Sequence, residues 1–117
     1  MDEHRSRRVS EAVREELSEI ISFEMDDPRV FDVQVTMAEV ASDMRNATIK
    51  VAVDSGNEKK ALSALSHASN FLRHELASRL NLRRVPELHF SIDGHPDADS
   101  RIDFLLRRAK RLDAAQG

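Results

Sequence analysis

Arg73, Arg79, Arg83 and Arg84 follow one another near the end of a long helical pattern, with Lys59 and Lys60 at its start and Ser69 and Asn70 in its middle. A guanidinium is a rigid fork that matches phosphate oxygens, and an ammonium is a compact point charge. A track of such groups suits the phosphate backbone of structured RNA. Ser and Asn compete for backbone hydrogen bonds inside a helix, and Asn tolerates left-handed backbone better than most residues. Ala68-Ser69-Asn70 therefore reads as a break at which another backbone can come close, and Asn70 can hydrogen-bond to phosphate or sugar. A plainer account fits the same residues: an unbroken helix with a solvated face, its last arginines favoured by the helix dipole. Arg5, Arg7 and Arg8 near the start carry the same two readings. So do Arg101, Arg107, Arg108, Lys110 and Arg111 in the tail.

Charge is distributed unevenly around a net of −3. Residues 11–32 hold eight acids against two arginines, a net of −6. Residues 57–84 hold six bases against Glu58 and Glu75, and residues 100–112 five bases against Asp103, each a net of +4. An anionic partner would meet one side of such a chain. The acids of the first helix should then face away from it. Without Trp or Tyr, and with five Phe, stacking platforms for bases are few, so shape and phosphate should dominate recognition.

Several chemistries are disfavoured. There is no Cys, which removes disulfides, thiolate metal sites and cysteine nucleophiles, and fits a reducing cytosol. No nucleophile elbow, phosphate-binding glycine loop or His-Glu-Xaa-Xaa-His appears, and the glycines are only Gly56, Gly94 and Gly117. His4, His67, His74, His89 and His95 lack ligand spacing, although His67 and His74 share a rough helical face. Asp93, His95, Asp97 and Asp99 invite a metal. Gly94 and Pro96 make that segment a turn, however, and Asp97 and Asp99 suit the cap of a following helix. No apolar run approaches the ~20 residues that span a bilayer. The charged start has no apolar stretch behind it, so no signal peptide is expected.

The elements that must position these residues can be read from periodicity. Val9, Val13, Leu17, Ile20 and Ile21 form one stripe of a helix over about 4–25, ended by Asp26-Asp27-Pro28. Val33, Val35 and Met37 alternate with polar residues as a half-buried strand, and the phase slips at Ala38-Glu39-Val40. After the turn 42–46, Ala47, Ile49, Val51 and Val53 alternate again, which makes a hairpin. A long helix over about 57–80 follows, with Leu62, Leu65, Leu72, Leu76 and Leu80 in one stripe across the break. Leu88, Phe90 and Ile92 mark a third strand. Ile102, Leu105, Leu106, Ala109 and Leu112 mark a last helix. The class is α+β, one domain with a three-stranded sheet covered on one face by helices.

Stretches of the chain resemble the bacterial ribosome-binding factor A family over nearly the whole length. They are 5–21, 27–30 (AspProArgVal), 41–53, 68–76 (AlaSerAsnPheLeuArgHisGluLeu) and 82–93 (LeuArgArgValProGluLeuHisPheSerIleAsp). The resemblance implies a K-homology-like domain of type II, ordered α-β-β-α-kink-α-β, over 1–95, with a helical extension over 96–117. The family's kink is Ala-Xaa-Gly, and Asn70 stands at the glycine position here. The resemblance further implies a cytoplasmic, monomeric factor without cofactor, membrane contact or small-molecule substrate. Such a factor binds the 30S subunit and 16S rRNA late in maturation, with roles in 5′-end processing and growth in the cold. On that basis Arg73, Arg79, Arg83 and Arg84 are expected on phosphates, Lys59 and Lys60 extend the track, Ser69 and Asn70 contact RNA at the kink, and Arg5 and Arg8 assist. The alternative is a protein–protein adaptor whose basic C-terminal helix meets an acidic partner.

Overall fold

The computed structural model describes residues 3–93, with side chains from Ser6 onward. Helix α1 (Glu3–Phe23) leads, and a short 3-10 turn follows at Pro28–Val30. Strands β1 (Gln34–Val40) and β2 (Asn46–Ala52) come next, then α2 (Glu58–His67), α3 (Ser69–Leu80) and β3 (Glu87–Ile92). This is the order expected of the K-homology-like domain. The 96–117 extension, its expected helix, and the turn after Asp93 lie outside the described residues.

Helix α1 stops at Phe23, two residues before the expected end, and Asp27 then caps the 3-10 turn by accepting the Arg29 N–H at 3.0 Å. Val13, Leu17, Ile20 and Ile21 are fully buried against the sheet and α3. Each such side chain contributes about 1.5–3 kcal/mol by leaving water. Exposed ion pairs contribute about 1 kcal/mol or less, so the apolar stripe and not the charge pattern fixes where α1 lies.

The sheet has the order β1-β2-β3, with β1 antiparallel and β3 parallel to β2. The parallel pair needs a crossover, and α2 with α3 supplies it. In β1 the phase slip comes earlier than the sequence pattern suggests. The register shifts between Val35 and Met37, so Thr36 and Met37 both turn outward. Met37, expected on the buried face, is 44 % exposed, while Ala38 and Val40 turn inward opposite Ile49 and Ala47. A bulge reverses the facing of every residue after it, which is why an alternation count placed Met37 wrongly.

β1 is an edge strand, and α1 covers part of that edge. The Ser6 hydroxyl donates to the Val40 carbonyl at 2.6 Å, and the Val40 N–H donates to the Ser10 hydroxyl at 2.8 Å. Both outward backbone groups of Val40 are thus satisfied, where a bare edge would template pairing with another chain.

Candidate nucleic-acid interface

The expected break exists and is one residue wide. Ala68 has φ −88° and ψ 5°, away from the helical ψ of about −42°. Its N–H still donates to Ala64 O at 3.0 Å, and Leu72 N–H donates to Ala68 O at 2.9 Å, so the chain bends without unravelling. No positive φ occurs at 68–70; among the described non-glycine residues only Met44 and Asn81 have one. Asn70 sits in the first turn of α3 in helical conformation, and the bend does not require the family's glycine there. Ser69 is half-buried and Asn70 exposed.

Helix α3 ends at Asn81, whose left-handed backbone (φ 52°, ψ 44°) turns the chain away, with Leu82 N–H closing on Ala77 O at 3.3 Å. The loop 81–86 that follows exposes Arg83 and Arg84 and buries Pro86. Arg73 Nη2 donates to Val85 O at 2.9 Å and ties the loop to α3. Its Nε is buried with no partner among the described residues. Arg73 therefore holds the loop, and its fork is partly committed.

Arg79 is committed further. Its Nη1 lies 3.2 Å from Glu16 Oε2, its Nη2 contacts Glu24, and its Nε lies 3.5 Å from Glu75 Oε2. Burial works against its charge, but hydrogen bonds to Glu24 and Glu16 more than offset this and hold its proton more tightly than usual. The structure thus gives Arg79 three carboxylates, where the sequence suggested a phosphate contact. Glu16 of α1 and Glu24 just beyond its end draw it toward the acidic side of the molecule.

The expected basic track divides between the two ends of the sheet. Glu87 N–H donates to Arg45 O at 2.9 Å, and Asn46 pairs with Glu87. That register sets the β1–β2 turn, with exposed Arg45, beside the loop carrying Arg83 and Arg84. The Ser6–Val40 bond brings the start of α1 to the same end, with Arg7 and Arg8 exposed just beyond. Arg5 lies in this turn of α1, and its side chain is outside the described residues. Lys59 and Lys60 are exposed in the first turn of α2, beyond the other end of β2. Asn57, just ahead of them, donates from Nδ2 to Asp32 Oδ1 at 2.7 Å. A seven-residue strand is about 23 Å long, so these lysines form a separate outpost. Arg7, Arg8, Lys59, Lys60, Arg83 and Arg84 make no ion pair with another described residue.

Sequence reasoning missed Arg45, and it left Arg7 with the same two readings as Arg5 and Arg8. Arg45 reads as an ordinary turn residue until the parallel β2–β3 pairing sets the loop 81–86 beside it. The remaining sequence candidates resolve simply. His67, the last residue of α2, and His74, in α3, are both exposed, with the bend at Ala68 between them. Asp93 accepts the Thr36 hydroxyl at 3.1 Å, and the rest of the candidate metal turn lies outside the described residues. No cluster of three metal-ligating side chains occurs among the described residues. No described helix is long and apolar enough to cross a membrane.

Comparison with known proteins agrees with this architecture. A family model described as ribosome-binding factor A matches residues 5–106. Ribosome-binding factor A of Solibacter usitatus is 65 % identical over 114 residues, covering 95 % of this chain and 92 % of that protein. The Desulfitobacterium hafniense protein of the same name is 41 % identical, covering 95 % and 90 %. The crystal structure of ribosome-binding factor A from Thermus thermophilus superposes with a TM-score of 0.70 at 30 % identity, over 74 % of this chain and 93 % of that one. A homology model of the Thermus thermophilus factor, fitted into a cryo-EM map of a 30S complex, superposes at 0.59 with 30 % identity, over 70 % and 88 %. The family model and these identities together place this chain in the ribosome-binding factor A family.

Proposed function

We propose that this chain binds the 30S ribosomal subunit by clamping 16S rRNA phosphates at the hairpin end of its sheet. The observation that carries this reading is the meeting there of Arg83 and Arg84 from the loop, Arg45 from the turn, and Arg7 and Arg8 from α1. Separate elements deliver these cations with no described carboxylate in an ion pair with them. Meanwhile the acids Glu16 and Glu24 are held by Arg79. Arg73 acts by positioning the loop, and Asn70 and Ser69 offer hydrogen bonds at the bend. Lys59 and Lys60 reach a second stretch of backbone, and Arg5 assists Arg8. The Thermus relative fitted into a 30S complex supports the choice of particle. Late maturation, processing of the 16S 5′ end, growth in the cold and a cytoplasmic, monomeric state are the finer roles that the family resemblance implies.

The test is sucrose-gradient co-sedimentation of the purified protein with 30S, 50S and 70S particles at low and raised salt. Binding to free 30S, weakened by salt and competed by naked 16S rRNA, is expected. Absence from every particle would contradict the reading. Binding to 30S that naked 16S rRNA fails to compete would move the contact to a ribosomal protein.

A further inference from the structure

The surface of α2 and α3 carries one large apolar side chain in an unusual place. Phe71 is 42 % exposed, in a chain that buries its leucines fully on the other side of the same helix at Leu72 and Leu76. It stands three residues after the bend at Ala68. His74 follows it by three residues in α3, the helical spacing at which side chains become neighbours, while His67 ends α2 on the other side of the bend, and both are exposed. Asn70 is exposed beside it.

The charge of this face restricts its partner. Its exposed residues are Lys59, Lys60, His67, Asn70, Phe71 and His74, together with serines. The two carboxylates of the helix pair are half-buried and occupied elsewhere: Glu58 accepts the Gly56 N–H at 3.0 Å, and Glu75 pairs with Arg79. An exposed ring with an imidazole three residues on, and an amide and a second imidazole close by in sequence, on a face without a free carboxylate, suits a planar group attached to an anion. A purely aliphatic partner would leave the imidazoles and Asn70 without hydrogen bonds, and an acidic peptide would not use the ring.

We propose that Phe71 is a stacking platform for one unpaired RNA base, with His67, Asn70 and His74 meeting its edge or the adjacent phosphate. The inference rests on the proposed rRNA binding and deepens it. The arginines at the hairpin end hold backbone, whereas Phe71 would select a nucleotide that is splayed out of a helix, because a paired base offers no free face.

The chain has no Trp, so Phe71→Trp introduces a single fluorescent reporter that preserves stacking, with Phe31→Trp as the control at another exposed phenylalanine. Titration with naked 16S rRNA and with free 30S subunits should quench the indole of Phe71→Trp and leave that of Phe31→Trp unchanged. Phe71→Ala should weaken binding about ten-fold or more, as the loss of one base–aromatic stack does, without altering the salt slope. Phe71→Ala binding as the wild type does, or an unquenched Phe71→Trp that still binds, would overturn the proposal and leave 30S binding standing. An indole already shielded in the free protein and unchanged by RNA would overturn it in favour of cover by residues 94–117. Wild-type protein that binds neither 16S rRNA nor 30S would remove the underlying function and this inference with it.

Discussion

The Arg79 guanidinium lies 3.2 Å from the Glu16 carboxylate, across 63 residues of sequence. Glu24 and Glu75 complete the set around it. This arginine joins α3 to α1 and neutralises part of the acidic helix. Removing it strands three carboxylates near one another. Arg79→Met should lower stability by about 1 kcal/mol, the upper range of a surface network, because the side chain is partly exposed. That corresponds to roughly 4 °C in Tm for a chain of this size. Thermal melting followed by circular dichroism measures the first effect. Binding to 30S should remain within a few-fold of wild type; a complete loss with the fold intact would show Arg79 on the RNA.

Ser10 holds the edge of β1. Its hydroxyl accepts from the buried Val40 N–H at 2.8 Å and donates to Ser6 O at 2.8 Å. Ser10→Ala leaves that N–H buried without a partner, which costs about 1–3 kcal/mol. Urea unfolding should show the loss as a lower midpoint with an unchanged slope. An unchanged midpoint would mean that water replaces the hydroxyl.

Arg73 braces the loop through Val85 O. Arg73→Leu keeps an apolar stem and removes the donor. The amide of Glu87, bonded to Arg45 O where β3 begins, should then exchange faster with solvent, while amides in mid-α1 should not. Hydrogen-exchange NMR reads both. Equal protection at Glu87 in wild type and variant would free Arg73 for a direct RNA role.

Asp27 is held below the usual carboxylate range, chiefly by the Arg29 side-chain hydrogen bond and then by the Arg29 backbone N–H. A depressed carboxylate stabilises the fold above its unfolded pKa, and that stability disappears as pH falls through the folded pKa. The 3-10 cap should therefore persist to pH values below an ordinary aspartate's midpoint. An NMR titration of the Asp27 carboxyl carbon should give a midpoint that rises toward the normal range in Arg29→Ala. No movement in that variant would assign the shift to the backbone N–H alone.

Much of this architecture is legible in local pattern. The stripe through Leu65, Leu72 and Leu76 crosses the break, and all three are buried. Small polar residues in mid-helix mark the bend itself. Other features depend on contacts distant in sequence. The Thr36 bulge shows only once β2 sets the register. Arg79 looks like a free cation until α3 packs on α1. Arg45 gains neighbours only through the parallel β2–β3 pair. Lys59 and Lys60 look continuous with the arginines because both flank one helical pattern, yet the crossover carries them to the opposite end of the sheet. Phe71 stands beside Leu72 and off the apolar stripe, and the structure exposes it while burying Leu72.

The most direct test of where this protein holds rRNA is 30S co-sedimentation of two charge-reversed variants beside the wild type, Arg83→Glu with Arg84→Glu, and Lys59→Glu with Lys60→Glu. All four positions are exposed, so both variants should fold, with circular dichroism as the check. Loss of 30S binding in the arginine pair, with partial weakening in the lysine pair, is the predicted result. Unchanged co-sedimentation of a folded Arg83→Glu, Arg84→Glu variant would contradict an interface at the hairpin end of the sheet.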